Sequence, residues 1–216
     1  MHTIFLIIVL IYIIEATLIE KYKWLENGER MDNKKIAKFE VSFIGGNPKV
    51  FRYLNQNNSK SIDIFISKDG YCNKGKTCAT IGMNEIETGL KQSKKKVRFE
   101  LIALGKSNLF KLENILATTA FEIRDKKICQ YGMVIPDVVR KYIKSTNMEH
   151  ILLLSPTFWE KYAPLEEEEE VVSWLLLVPI SNDEAVYIQK HGVEQFKSLL
   201  EEKNVDISDY NRESIV

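Results

Sequence analysis

An α+β domain with a mixed, mainly antiparallel sheet and packed helices is the fold class this sequence predicts. Three observations carry the prediction. Short runs rich in β-branched and aromatic residues recur along the chain, and two of them, at 49–54 and 61–67, stand close enough to form a hairpin. Segments with apolar residues at helical spacing stand among them, in the order strands, helix, strands, helices rather than in strict alternation. The composition, 45% hydrophobic and 28% charged over 216 residues, suits one globular domain of roughly 150–200 residues plus an extension.

Taken in order, Asp32 or Asn33 caps a helix whose apolar positions include Ile36, Phe39 and Phe43. Gly45-Gly46 stops it and Pro48 secures the break. The strands KVFRYL and SIDIFIS flank an Asn-rich turn. In the second, Ile62, Ile64 and Ile66 share one face, with Asp63 and Phe65 on the other. TCATIGM (77–83) and KKKVRFELIAL (94–104) are further strands, the latter with Val97, Phe99 and Leu101 on one face. A helix begins at 107–110 and runs to Arg124. It carries one stripe of Leu109, Leu112, Leu116, Ala120 and Ile123, and a second of Phe110, Ala117 and Phe121, so both sides are expected to be buried.

MEHILLLS (148–155) is a strand, and Phe158, Trp159 and Tyr162 lead into the acidic run Glu166–Glu170. Val171–Val178, apolar apart from Ser173, reads as a strand buried on both faces and ended by Pro179. Ser181 and Glu184 have the spacing of a capping box, and the helix they open stops at His191-Gly192. A last helix carries Val193, Phe196, Leu199 and Leu200.

Residues 1–30 stand apart. Ile4–Ile14 is apolar throughout, Glu15 interrupts, and Ala16–Ile19 resumes. A spanning helix needs about 20 apolar residues, and a mid-segment carboxylate is costly in hydrocarbon. A secretory signal would place Lys or Arg ahead of the apolar core, where this chain has only His2. Gly28-Glu29-Arg30 is encodable by a purine-rich stretch of the kind that positions bacterial ribosomes just before a start codon, here Met31. The expectation is that translation starts at Met31 and that the domain occupies 31–216. The alternative is a membrane anchor through residues 4–19.

Net charge is zero but unevenly spread. Residues 149–216 hold fifteen acidic and five basic side chains, and residues 1–148 hold fifteen acidic and twenty-five basic. Such asymmetry steers charged partners. Lys94-Lys95-Lys96 has no interleaved aromatics, so nucleic-acid binding is a poor fit. Three cysteines, Cys72, Cys78 and Cys129, do not make a disulfide framework, and they lack the spacing of a zinc site. Gly45-Gly46-Asn47-Pro48 is a helix stop rather than a phosphate cradle. No hydrolase, kinase, metalloprotease or dinucleotide motif occurs. His150 or His191 beside a cysteine remains the one route to nucleophilic catalysis, while His191 also suits the last turn of a helix.

The segments GGNPKVFRY (45–53), SIDIF (61–65), ATIGMNE (79–85), VRFELIA (97–103), LENILATTAF (112–121) and MEHILLLSPTFW (148–159) precede a Trp174 strand ending in Pro179 and Ser181. A helix with Glu184 and Tyr187, then Gly192, a second helix and DISDYNR (206–212) complete the series. In order and spacing they resemble the suppressor of fused domain family over residues 34–216. Ser208 and Tyr210 depart from its usual pattern.

The resemblance implies an α+β fold with Trp174, Pro179, Gly192 and Asn211 as framework, and it supplies no catalytic, cofactor or metal residues. One branch of the family is an animal regulator that sequesters a transcription factor. The resemblance here is to the bacterial branch of Bacillus-like organisms, immunity proteins or antitoxins for polymorphic secreted toxins, LXG-type nucleases among them. It implies a cytoplasmic binding protein, not an enzyme, whose partner is a protein toxin encoded by a neighbouring gene. The alternative is an intracellular regulator holding a transcription or signalling protein. Nuclease sites are basic, so Glu160, Glu166, Glu167, Glu168, Glu169 and Glu170 are the expected partner contacts. Mass spectrometry of the native protein is expected to find no peptide from within residues 1–30; such a peptide would overturn the Met31 start.

Overall fold

The computed structural model describes residues 30–68, 75–106, 109, 111–157 and 162–216. The apolar segment at 4–19, Cys72, Phe110, Phe158, Trp159 and Glu160 lie outside the described residues. Two compact units are distinguished, Met1–Lys38 and Phe39–Val216. Of the first, the leading part of helix α1 (Arg30–Ile44) is described. Asp32 and Asn33 fall inside α1 instead of ahead of it, because helical backbone already begins at Arg30. Gly45 and Gly46 stop it with φ of +72° and +78°, a conformation that costs glycine nothing.

The second unit is built on a nine-stranded sheet of β1 (Lys49–Leu54), β2 (Ser61–Lys68), β3 (Gly75–Ile81), β4 (Lys91–Gln92), β5 (Lys95–Lys106), β6 (Val134–Ile135), β7 (Met148–Leu154), β8 (Leu165–Glu166) and β9 (Glu170–Ser181). The main path runs β1-β2-β3-β5-β9-β7-β6, with β4 on β5 and β8 on β9. Only the β5–β9 pair is parallel among the described strands, so the sheet is mixed and mainly antiparallel. The β1–β2 hairpin closes through Asn55, whose Oδ1 accepts the backbone N–H of Ser59 (2.9 Å) and Lys60 (3.0 Å).

Helix α2 (Leu112–Lys126) covers one sheet face. Its Leu112, Ile115, Leu116, Ala120 and Ile123 form a core with Ile62, Ile64, Cys78, Leu101, Ala103, Leu153, Leu175 and Leu177. It is buried on one broad side, not two. Of the second stripe Ala117 is buried and Phe121 half-buried, while Asn114, Thr118, Glu122 and Asp125 stay accessible. On the opposite face, Trp174 of β9 is fully buried. Phe39 of α1 stacks on it (centroids 5.2 Å apart), and Phe43 (5.5 Å) and Tyr162 (6.3 Å) meet it edge-on. The same face carries Leu104, Leu154, Leu176 and Val178, which line a cavity of about 380 Å³ with Leu200.

Strand β9 does not end at Pro179 but continues to Ser181. The last β5 partner is Ala103 opposite Leu177, so Pro179 lies beyond that ladder. Its carbonyl accepts Arg212 Nη2 (2.8 Å), which places its backbone polar side away from β7. The missing N–H therefore breaks no rung, although Pro179 stands opposite Ile151.

Beyond β9, Ser181 and Glu184 form the expected capping box on α3 (Asn182–His191). Gly192, at φ +87°, separates it from α4 (Val193–Glu202), which buries Phe196 and Leu200. Glu184 has no exposed surface and receives four donors: Arg212 Nη1 (2.6 Å) and Nη2 (2.7 Å), Ser181 N–H (3.0 Å) and Ile215 N–H (3.1 Å). The segment around Ser208 and Tyr210 is thereby packed: Asp206 Oδ1 accepts Ser208 N–H (3.0 Å), and Tyr210 is buried.

A second buried carboxylate sits mid-sheet. Glu100 Oε1 accepts Gly82 N–H (2.9 Å) and Asn84 N–H (3.0 Å), and Oε2 accepts Met83 N–H (3.1 Å) and the Thr80 hydroxyl (2.6 Å). Burial pushes its pKa up to about 7, against the pull of those donors.

Two predictions follow from these carboxylates. R212A strands Glu184 in the interior and costs about 3–5 kcal/mol in a urea unfolding series, and R212K recovers only part of it because an ammonium cannot form the fork. T80V removes a donor to Glu100 and orphans Leu101 N–H, costing about 1–3 kcal/mol. The folded chain holds the Glu100 proton from the ordinary carboxylate value of 4.5 up to about 7, so this group erodes stability as pH rises through that window. The hydroxyl favours the ionised form, so the T80V loss grows above about pH 7. A loss independent of pH from about 5 to 9 counts against this assignment.

Candidate partner-binding site

The acidic run is a hairpin, not an open loop. Leu165 pairs with Val172 and Glu166 with Val171, and Glu167 N–H donates to Glu170 C=O (2.9 Å). Five consecutive carboxylates repel one another, and the tertiary fold relieves part of that repulsion. The strand beside β9 is β5, whose start is basic. Lys95 Nζ lies 2.9 Å from Glu166 Oε2, and Arg98 Nε lies 3.2 Å from Glu170 Oε2. Arg98 also lies 3.5 Å from Glu87, and Lys96 N–H donates to Glu169 C=O (2.8 Å).

These pairs divide the run. Glu166 and Glu170 are committed to cations of the same chain, while Glu168 and Glu169 are exposed at the tip with no basic side chain against them among the described residues. The exposed Lys95–Glu166 pair contributes about 0–1 kcal/mol, so its service is to fix the hairpin's direction more than to stabilise the fold. The tip then presents two unscreened negative charges on a rigid two-stranded support. Beside it, the β4–β5 turn holds Ser93 and Lys94 at φ of +51° and +74°, a conformation usually left to Asn and Gly.

Tyr162 ties this hairpin to the sheet. Its hydroxyl lies 2.6 Å from Ser173 Oγ and accepts Trp174 N–H (2.8 Å). Lys95, Arg98 and Tyr162 are the site residues that sequence reasoning missed. Nothing local announces them, since Lys95 and Arg98 are more than seventy positions from the glutamates they meet.

The groups considered for catalysis are placed otherwise. Cys78 and Cys129 are buried and not in a disulfide. Burial pushes the Cys78 thiol well up and the Cys129 thiol to about 12, opposite to what an attacking thiolate needs. His150 Nδ1 accepts Asp137 N–H (2.9 Å), which leaves the ring proton on Nε2, directed at Asn182 Oδ1 (3.1 Å). Asp137, Glu149 and His150 bring ligand-type atoms within 4.8 Å of one another, but both ring nitrogens are engaged and Glu149 pairs with Arg140. His191 is exposed and lies against Tyr187 (centroids 4.4 Å). No helix among the described residues is long and apolar enough to cross a membrane.

Comparison with known proteins agrees with this architecture. The family model described as Suppressor of fused protein (SUFU) matches residues 58–213. Immunity protein YqcF of Bacillus subtilis (strain 168) is 33% identical over 191 residues, covering 88% of this chain and all of the relative. Among solved structures, a SUFU homolog from Neisseria gonorrhoeae FA 1090 aligns with a TM-score of 0.69 at 17% identity, over 86% of this chain and 97% of its own. A chain of the Sufu–Fu complex aligns with a TM-score of 0.59 at 12% identity, over 85% of this chain and 92% of its own. The last two speak to the fold, and the family match and the Bacillus relative speak to descent: this chain belongs to the suppressor of fused family.

Proposed function

We propose that this chain is an immunity protein, which binds a cognate secreted polymorphic toxin one-to-one and neutralises it in the cytoplasm. The observation that carries the reading is its 33% identity over the whole length of a Bacillus protein that bears that name. The partner is a protein toxin encoded by a neighbouring gene, and the finer reading is an LXG-type nuclease. The chain acts by binding, without turnover, without a cofactor and without contacting nucleic acid itself.

The acidic hairpin supports the nuclease reading. An enzyme that cleaves nucleic acid presents a basic cleft, and a rigid acidic tip is steered towards it and occupies the place of phosphates. Glu168 and Glu169 carry this role, Glu167 flanks them, and Glu166 and Glu170 hold the hairpin through Lys95 and Arg98. Glu160, outside the described residues, remains an expected contact in this reading. Residues 1–30 contribute nothing to neutralisation, so the domain at 31–216 suffices.

The test is rescue. Cells expressing the neighbouring toxin are expected to survive when residues 31–216 are co-expressed, with the two proteins co-purifying. Death of those cells with the chain folded and abundant overturns the reading, and repeating the experiment with residues 1–216 shows whether the extension was needed. For the contact, E168K/E169K is expected to slow association about tenfold or more at low salt while leaving the fold intact. An unchanged association rate removes the hairpin from the interface.

A further inference from the structure

The three carboxylates without exposed surface among the described residues, Glu40, Glu100 and Glu184, are served very differently. Glu100 and Glu184 each receive four donors. Glu40 of α1 receives one: its Oε1 accepts the Trp174 indole N–H (2.9 Å), and its Oε2 is buried with no hydrogen-bond partner among the described residues. No cation stands against it there. The charged group that acts on it is Glu100 of β5, next to Trp174 in the sheet register and of the same sign. Tyr162, from the segment before β8, is the other titratable group of the surrounding ring cluster.

An ionised Glu40 in this place would be a buried charge with a single donor, beside a second carboxylate, which disfavours the closed state. The folded chain avoids that cost by keeping Glu40 protonated. Burial, with Glu100 second, holds its pKa well above the usual carboxylate range, and the Trp174 bond pulls only weakly the other way. Glu100 is fastened in mid-sheet and cannot move. The end of α1 is held to Trp174 by rings and one hydrogen bond, with Phe43 and Ile44 buried; the buried Ser67 hydroxyl donates to the Gly45 C=O (2.6 Å) and fixes the pivot beyond it, where Gly45 and Gly46 tolerate backbone rotation.

We propose that the helix end Phe39–Ile44 is a proton-dependent latch: it closes over Trp174 while Glu40 holds a proton and lifts off when Glu40 gives it up. The sign follows from linkage. Above the ordinary value of 4.5 the free side chain has lost its proton while the closed latch retains it, so closure weakens as pH rises and is lost through the raised value of Glu40. Lifting carries Phe39 and Phe43 away from Trp174 and Tyr162, and Tyr162 is also the anchor of the acidic hairpin. Any effect on partner binding rests on the function proposed above; the latch itself does not, and its test uses no partner.

The full chain with W24F and W159F leaves Trp174 as its sole tryptophan. Acrylamide quenching of that residue is expected to rise about threefold or more between about pH 6 and about pH 9.5, with far-ultraviolet circular dichroism unchanged. E40Q keeps the acceptor for the indole and has no proton to lose, so its quenching stays flat. An equal rise in E40Q, or no rise with Glu40 present, overturns the proposal. Should the tryptophan replacements prevent folding, thermal midpoints of the otherwise unaltered chain decide it. E40Q and the parent should melt together near pH 4.5 and differ by about 3 °C or more, E40Q higher, near pH 9. A gap that does not change with pH overturns the latch.

Discussion

Burial of β9 on both faces is the constraint on which the rest of this structure depends. The strand runs from Glu170 to Ser181 with β5 on one side and β7 on the other, and its side chains enter both the α2 core and the layer beneath Trp174. Such a strand must be nearly all apolar, and every polar group that approaches it must find a partner. Ser173 finds the Tyr162 hydroxyl, the Trp174 indole finds Glu40, and the Pro179 carbonyl finds Arg212. The acidic hairpin, the helix end and the C-terminal segment are thus each tied to the sheet by a polar demand of one strand.

Buried carboxylates show how differently the same chemical problem is solved. Glu184 is neutralised by a bidentate guanidinium and two backbone donors, which joins the start of α3 to the segment after α4. Glu100 has no cation against it among the described residues. It lies in β5 against a turn whose successive N–H groups, those of Gly82, Met83 and Asn84, converge on it as they would on a bound anion. Glu40 has neither among the described residues, and the cheapest remaining state is the neutral acid. Glu100 and Glu184 thus have four donors each and differ in whether a cation is among them, while Glu40 has a single donor.

Five glutamates in a row suggest a uniformly solvated loop, and the fold makes them unequal. Pairing of β8 with β9 and of β5 with β9 brings Lys95 and Arg98 alongside, so that two carboxylates become structural and the tip keeps its charge. Association is steered by the charge that remains unpaired, not by the count of acidic residues. That distinction narrows the proposed contact from a run to Glu168 and Glu169.

What the sequence by itself determined is local. The limits of β1, the start of β7, the Ser181–Glu184 capping box, the Gly45-Gly46 stop and the alternation of Ile62 and Ile64 were all legible, because caps, turns and side-chain periodicity act within a few residues of backbone. The order of short segments was enough to reveal the family, since descent preserves order and spacing. Only the tertiary structure decided the parallel β5–β9 pairing, the continuation of β9 through Pro179, the partly accessible far side of α2 and the partners of Glu40, Glu100 and Glu166. The physical reason is distance along the chain. Trp174 stands 134 positions from the carboxylate that its indole meets, and Lys95 stands 71 from Glu166. A charged residue in a linear sequence carries no sign of whether it will face water or a partner; that depends on which strands lie side by side, and strand pairing at such separations is settled by the packing of the whole core.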